Sequence, residues 1–119
     1  MKQAKIKFGT SGWRAVLCED FTFHNVGVVT QAIADHLRAQ GTPLRGVAVG
    51  HDNRFMGERF ARRACEVLAA NGVPCLVADR STPTPVLSFD ILKNGWDGAI
   101  NFTASHNPAE WNGIKYSTP

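Results

Sequence analysis

Ser105 and His106 stand side by side in TASHNPAEWNGIKY, residues 103–116, with Asn107-Pro108 behind them and Lys115 close to the end. A lone loop serine is an ordinary turn residue, and Asn-Pro alone is a turn signal. The combination asks for more. A hydroxyl beside an imidazole and an ammonium can accept or hold a phosphoryl group, because positive charge stabilises the anion that develops. Asn112-Gly113 reads as a tight turn that returns Lys115 toward the serine. A hydrolase is not indicated, since its nucleophile elbow requires Gly-x-Ser-x-Gly and Ser105 is flanked by Ala104 and His106. An adjacent histidine also seldom reaches its neighbour's hydroxyl as a base.

A second constellation is FGTSGWR, residues 8–14. Gly9 and Gly12 flank Thr10 and Ser11, a composition that turns sharply and can aim backbone amides at an anion. Arg14 follows at once, with a planar fork suited to bidentate phosphate contact. A third polar cluster is HDNR, residues 51–54, where Arg54 either meets an anion or pairs with Asp52 to fix its own loop. No Walker loop, GxGxxG or HExxH occurs in the sequence.

These clusters need elements to hold them. Val26, Val29, Ile33 and Leu37 recur at helical steps between His24 and Gln40, with Thr22 to cap the helix and Gly41 to end it. GVAVG (46–50) reads as a buried parallel strand. A helix over Met56–Asn71 uses Phe60, Ala64, Val67 and Leu68 and stops at Gly72; VPCLVA (73–78) is the next strand. Thr84-Pro85 opens a third helix, with the Thr84 hydroxyl expected to accept from its free amides. Val86, Phe89 and Leu92 are expected to face inward, and Asn94-Gly95 closes the helix. GAINFT (98–103) is a buried strand, and GIKYS (113–117) is expected to begin an edge strand. Strand–helix alternation with short connections predicts a three-layer α/β/α sandwich on a mainly parallel, mixed sheet. Ligand sites in such sheets gather beyond the carboxyl ends of the strands, which would bring residues 51–54, 79–85 and 104–108 to one edge.

The 119 residues suit a single domain, 1–119, and the 44% hydrophobic and 19% charged content is that of a globular chain. The net charge of +3 is scattered rather than clustered, which argues against a nucleic-acid surface. Cys18, Cys65 and Cys75 lack metal-binding spacing and are expected to be buried free thiols in a reducing cytosol. The start MKQAKIKFGT has no apolar segment, so no signal peptide is expected, and no apolar run is long enough to span a bilayer. A cytoplasmic protein with neither nucleic acid nor membrane as partner is expected.

TASHNPAEWNGIKY resembles the active-site serine loop of the α-D-phosphohexomutases, the phosphoglucomutase and phosphomannomutase superfamily. That pattern is Thr-Ala-Ser-His-Asn-Pro, three variable residues, then Asn-Gly-x-Lys, and every fixed position is matched. FGTSGWR is similar to the family's Gly-Thr-Ser-Gly-x-Arg, and GHDNR (50–54) to its Gly-x-Asp-x-Arg. Ala15 stands where many members have glycine. The resemblance, from Phe8 to Lys115, implies a phosphoserine at Ser105 that donates to a hexose 1- or 6-phosphate through a hexose 1,6-bisphosphate, which also serves as primer. It implies that His106, Arg14 and Lys115 line the reacting centre, with Lys115 or Arg14 carrying the proton. Thr10, Ser11, Asn107 and Arg54 are then expected to bind substrate or phosphate.

The same resemblance implies Mg²⁺, with the phosphate on Ser105 offering one ligand. The family's acidic Asp-Gly-Asp-x-Asp-Arg metal loop does not occur in these residues. The family has four domains and this sequence resembles the first, so the other domains of the polypeptide are expected partners and this domain alone is expected to be inactive. A stand-alone phosphate- or phosphosugar-binding module, and a generic α/β interaction domain, are the alternative readings.

Overall fold

In the computed structural model, residues 5–9, 12–41 and 43–119 are described. Along the chain come β1 (Trp13–Val16), α1 (Phe23–Ala39), β2 (Val47–His51), α2 (Gly57–Ala70), β3 (Cys75–Val77), α3 (Thr84–Asn94), β4 (Gly98–Phe102) and β5 (Trp111–Ser117). The sheet order is β1-β5-β4-β2-β3. β2 pairs in parallel with β3 and β4, whereas β5 pairs antiparallel with β4 and β1. Only β5 therefore runs against the others. Two helices cover one face and α3 the other, which is the α/β/α sandwich expected from the alternation.

The apolar stripe of α1 packs as its spacing demands. Val26, Val29, Ile33 and Leu37 share one core with Phe60, Ala64 and Leu68 of α2 and with Val49, Ile100 and Phe102 of the sheet. Each such burial removes apolar surface worth about 1.5–3 kcal/mol from water. Asn25 donates its backbone N–H to Thr22 Oγ1 at 3.1 Å, the cap that the sequence proposes. No described helix is long and apolar enough to cross a membrane.

Several expectations are corrected. Val86, Phe89 and Leu92 are 53%, 63% and 76% exposed, and Leu87 and Ile91 are the buried pair at 6% and 2%. The reason lies beneath them: the sheet offers Ala48 and Ala99 to α3, and a Cβ on Gly50 would stand 2.8 Å from Leu87 Cδ1. A small-residue floor accepts one i, i+4 pair, and α3 carries apolar residues on every side among its polar ones, so periodicity alone does not select the face. Thr84 does not cap α3, whose flanking residue is Pro83; its Oγ1 instead accepts from Asn101 Nδ2 at 2.7 Å.

β5 is interior, and β1 forms the edge beside it. β1 is masked in the sequence because it has four residues and two of them, Trp13 and Arg14, belong to the Gly-rich motif. Cys65 and Cys75 are joined in a disulfide and Cys18 is exposed, contrary to the expectation of buried free thiols. The pairing follows from α2 packing over β3, which brings the two Cα atoms to 5.9 Å.

Candidate active site

β2 and β4 lie side by side, yet the chain leaves them in opposite directions, toward β3 and toward β5. A crevice opens at such a switch point beyond the carboxyl ends. The loop after β2 and the loop after β4 meet there, and Asp52 N–H donates to Phe102 O at 3.1 Å across the junction. Thr82 N–H donates to His51 O at 2.8 Å, which draws in the loop after β3. The three polar loops share one edge, as expected.

The serine loop is closed on itself. Thr103 N–H donates to Gly113 O at 3.1 Å, Asn107 N–H to Ala104 O at 3.0 Å and Trp111 N–H to Pro108 O at 3.0 Å. Ala104 is buried and anchors the turn, while Ser105 and His106 project from it, exposed. Ser105 has φ 52°, in the left-handed region that costs a non-glycine residue roughly 1–3 kcal/mol. Its N–H donates to Thr103 Oγ1 at 3.2 Å and its carbonyl oxygen accepts from Arg54. The backbone is thus held while the hydroxyl faces outward.

Arg54 is the clamp of this loop. Nη1 donates to Pro108 O at 2.8 Å and Trp111 O at 3.0 Å; Nη2 donates to Ser105 O at 2.9 Å and Asn107 O at 2.7 Å. Nε lies 3.5 Å from Asp52 Oδ2, and Arg54 N–H donates to Asp52 Oδ1 at 3.0 Å. Both guanidinium ends are therefore occupied by loop carbonyls. The sequence suggests the Asp52 pairing, but an arginine that reads four carbonyls leaves no mark in composition or spacing.

Arg14 arrives from β1. Trp13 and Ala15 enter the core shared with α1 and α2, so alternation turns Arg14 to the opposite face. There Nη1 donates to Asn107 Oδ1 at 2.9 Å, and Nε is buried without a partner among the described residues. Asn107 thus touches Arg14 directly, a contact that the sequence does not announce. Gly113 faces Arg14 across the strands. A Cβ there would stand 2.6 Å from Thr103 O and 2.7 Å from Trp13 O, so only glycine lets β1 and the serine loop close around β5. Asn112-Gly113 is therefore strand, not the tight turn expected; the reversal is made by residues 105–110.

Lys115 lies on β5 opposite Asn101. Ile114 enters the core, so Lys115 faces the same side as Arg14. It is half-buried, and no hydrogen bond links it to Ser105. Thr10 and Ser11 lie outside the described residues; their neighbours Gly9 and Gly12 exchange backbone bonds at 3.0 and 3.1 Å. The arrangement thus gathers Ser105, His106, Asn107, Arg14 and Arg54, with Lys115 deeper on the same face. An exposed hydroxyl among fixed cations can hold or pass a phosphoryl group. Among the described residues no three His, Cys, Asp or Glu side chains cluster as metal ligands.

Residues 5–119 match the family described as phosphoglucomutase/phosphomannomutase, alpha/beta/alpha domain I. The chain belongs to the phosphoglucomutase/phosphomannomutase family. It is 36% identical over 126 residues to a phosphoglucomutase of Komagataeibacter xylinus, covering 97% of this chain and 22% of that protein. It is 35% identical over 115 residues to a phosphomannomutase of Mycoplasma genitalium, covering 91% and 21%. A crystal structure of a phosphoglucomutase/phosphomannomutase family protein from Burkholderia thailandensis superposes with a TM-score of 0.80 at 28% identity, over 93% of this chain and 25% of that one. This member of the family thus spans about a fifth of the length of the curated relatives it matches. Relatives named for phosphoribose and phosphoglucosamine match at 37% and 35% identity, so identity does not sort the substrate.

Proposed function

We propose that this domain supplies the phosphoserine of a mutase that interconverts hexose 1-phosphate and hexose 6-phosphate. The observation that carries the reading is Ser105 itself: exposed, held with φ 52°, its loop carbonyls tied down by Arg54 and its turn tied to Arg14. In the forward step the phosphorus–Oγ bond of phosphoserine breaks and a bond forms to the free hydroxyl oxygen of the phosphohexose. Lys115 carries the hydroxyl proton to the leaving Ser105 Oγ, and a bisphosphorylated sugar results. After the sugar reverses its orientation, its other phosphoryl group returns to Ser105 Oγ, and the proton returns to the hydroxyl left behind. Such transfer depends on positioning and charge neutralisation more than on covalent chemistry from the protein.

Arg14, tied to Asn107, and His106, next to Ser105 in the chain, are assigned to contact the phosphoryl group, and Asn107 sets the Arg14 fork. Thr10 and Ser11 are assigned to phosphate contact on motif alone. Arg54 is assigned to holding the loop rather than to the sugar. The described side chains do not make a Mg²⁺ site by themselves; a phosphate on Ser105 would add one oxygen where octahedral Mg²⁺ needs several. No step is routed through the ion. The remaining domains of the family are the proposed source of the other ligands and of the sugar clamp, and the isolated domain is proposed to be inactive.

Phosphopeptide analysis of the protein isolated from its own cells tests the reading. Phosphate is expected on Ser105 and absent in Ser105→Ala. Stable phosphate on Ser117 with Ser105 unmodified would overturn it. In a coupled mutase assay primed with hexose 1,6-bisphosphate, the 119-residue chain should show no turnover. A rate near an ordinary ~10 s⁻¹ would refute the assignment of sugar clamp and metal site to other domains.

A further inference from the structure

Asn101 lies in the middle of β4 and is 3% exposed. Its neighbours Ile100 and Phe102 enter the core under α1 and α2, so its amide faces the α3 side. Nδ2 donates to Thr84 Oγ1 at 2.7 Å, the first residue of α3, which fixes the plane of the amide. Oδ1 is buried and has no partner among the described residues. A buried carbonyl left bare costs roughly as much as a lost hydrogen bond, so a donor in reach would be drawn to it.

The register says which donor that is. Across β2 the residue opposite is Gly50, which has no side chain to offer. Across β5 it is Lys115. Directly opposed residues hold their Cβ atoms about 4.5–5.5 Å apart, well within the reach of a lysine. Of the other polar groups on this face, the Thr103 hydroxyl lies two residues on, beyond the end of β4 and beside Ser105 N–H, and Ser117 opposes Ala99, one pair along. Arg14, on β1, gives Nη1 to Asn107 and stands opposite Gly113, with the whole of β5 between its strand and β4. The unsatisfied oxygen and the half-buried ammonium are thus the two members of one cross-strand pair.

We propose that Asn101, oriented by Thr84, is a positioning residue for Lys115: its Oδ1 accepts from the ammonium and holds it on the sheet face that leads to Ser105. The role in the reaction rests on the proton-carrying function of Lys115 proposed above. The contact couples the first turn of α3 to the reacting centre. It also accounts for a threonine at a helix start whose hydroxyl is turned away from the helix amides.

The test is the labelling rate of each lysine in the 119-residue chain with acetic anhydride, read by mass spectrometry, with Lys5, Lys7 and Lys93 as internal references. Acetic anhydride attacks the neutral amine, and an acceptor that holds the ammonium favours the protonated form and slows labelling. Asn101→Leu, nearly isosteric but without the acceptor, should raise Lys115 labelling by about threefold to about tenfold relative to the references. Asn101→Asp keeps the oxygen and should keep Lys115 protected. Thr84→Val, which frees the amide to rotate, should raise labelling about twofold, and Thr84→Ser should restore it.

Backbone NMR of every variant verifies a folded state; should Asn101→Leu unfold, the Thr84 pair carries the test. Equal Lys115 labelling in the wild type, Asn101→Leu and Thr84→Val would overturn the proposal. The readout requires no turnover, so a failure of the phosphoserine reading, seen at Ser105, is distinguishable from a failure of this contact.

Discussion

The two faces of the sheet are built from opposite materials. Under α1 and α2 lie Val47, Val49, Ile100, Phe102 and Ile114, interleaved with Phe21, Phe60 and Leu68 in one continuous apolar core. Under α3 the floor is Ala48, Gly50 and Ala99, and toward β5 and β1 the same face carries Asn101, Lys115, Gly113 and Arg14. Large side chains on one face and small or polar ones on the other mean that stability and chemistry are separated across the thickness of a single sheet. Each strand serves both by alternation: Trp13 and Ala15 pack while Arg14 reaches Asn107, and Ile114 packs while Lys115 faces Asn101.

The contrast is sharpest between two phenylalanines. Phe102 is fully buried, with its ring 6.2 Å from that of Phe60, whereas Phe89 on α3 stands 63% exposed. Phe102→Ala should destabilise the fold by about 3–5 kcal/mol. Phe89→Ser should change it by no more than about 0.5 kcal/mol. Urea denaturation of both variants checks the pair. A comparable loss from Phe89→Ser would mean that the α3 face is packed in solution and that the division between the faces is wrong.

Arg54 sits where the two materials meet, and it ranks second. Lysine has one ammonium and cannot reproduce the fork that serves four carbonyls. Arg54→Lys should cost about 1–3 kcal/mol, because carbonyls of the serine loop lose their donors. The loss should be local. Amide exchange should accelerate through residues 104–111 while α1 and β2 keep their protection. Uniform acceleration across the chain would place Arg54 in the global core instead.

Much of the closed face was legible in the sequence because burial leaves a periodic trace. Val26, Val29, Ile33 and Leu37 mark α1 without ambiguity, and Thr22 caps it as its type suggests. The open face is less legible. α3 carries apolar residues on every side, so the orientation of Leu87 and Ile91 is set by Ala48, Gly50 and Ala99 in distant strands. Motif spacing points to Ser105, Arg14 and Lys115 as chemically interesting, but it is silent on their partners. That Arg54 reads carbonyls, that Asn107 meets Arg14, and that Gly113 is a contact glycine rather than a turn glycine are products of strand pairing. Such pairings join residues from opposite ends of the chain.

The smallest predicted effect concerns Tyr116, the last large side chain of β5 against the closed face. Its ring lies over Gly98, where a Cβ would stand 2.7 Å from the phenol oxygen, and the hydroxyl is buried without a partner among the described residues. Burial, followed by the nearby Asp97 carboxylate, pushes its pKa above the ordinary 10.0. The sign of the consequence follows from linkage. Above the ordinary value the unfolded chain releases the phenol proton while the folded chain still holds it. The unfolded state then binds fewer protons, and stability falls as pH rises. Below that value both states keep the proton and the group adds no slope. Tyr116→Phe removes the titration and discards a buried hydroxyl that lacks a partner, a change that is near neutral at pH 7. Melting temperatures of the two proteins should therefore run together up to about pH 9 and separate above about pH 10, the wild type falling faster. Lysines titrate in the same range, but they are common to both chains and cancel in the difference. A difference that stays constant to about pH 11.5 would show that the phenol is solvated in the folded state, and that the closed face ends before Tyr116 rather than at it.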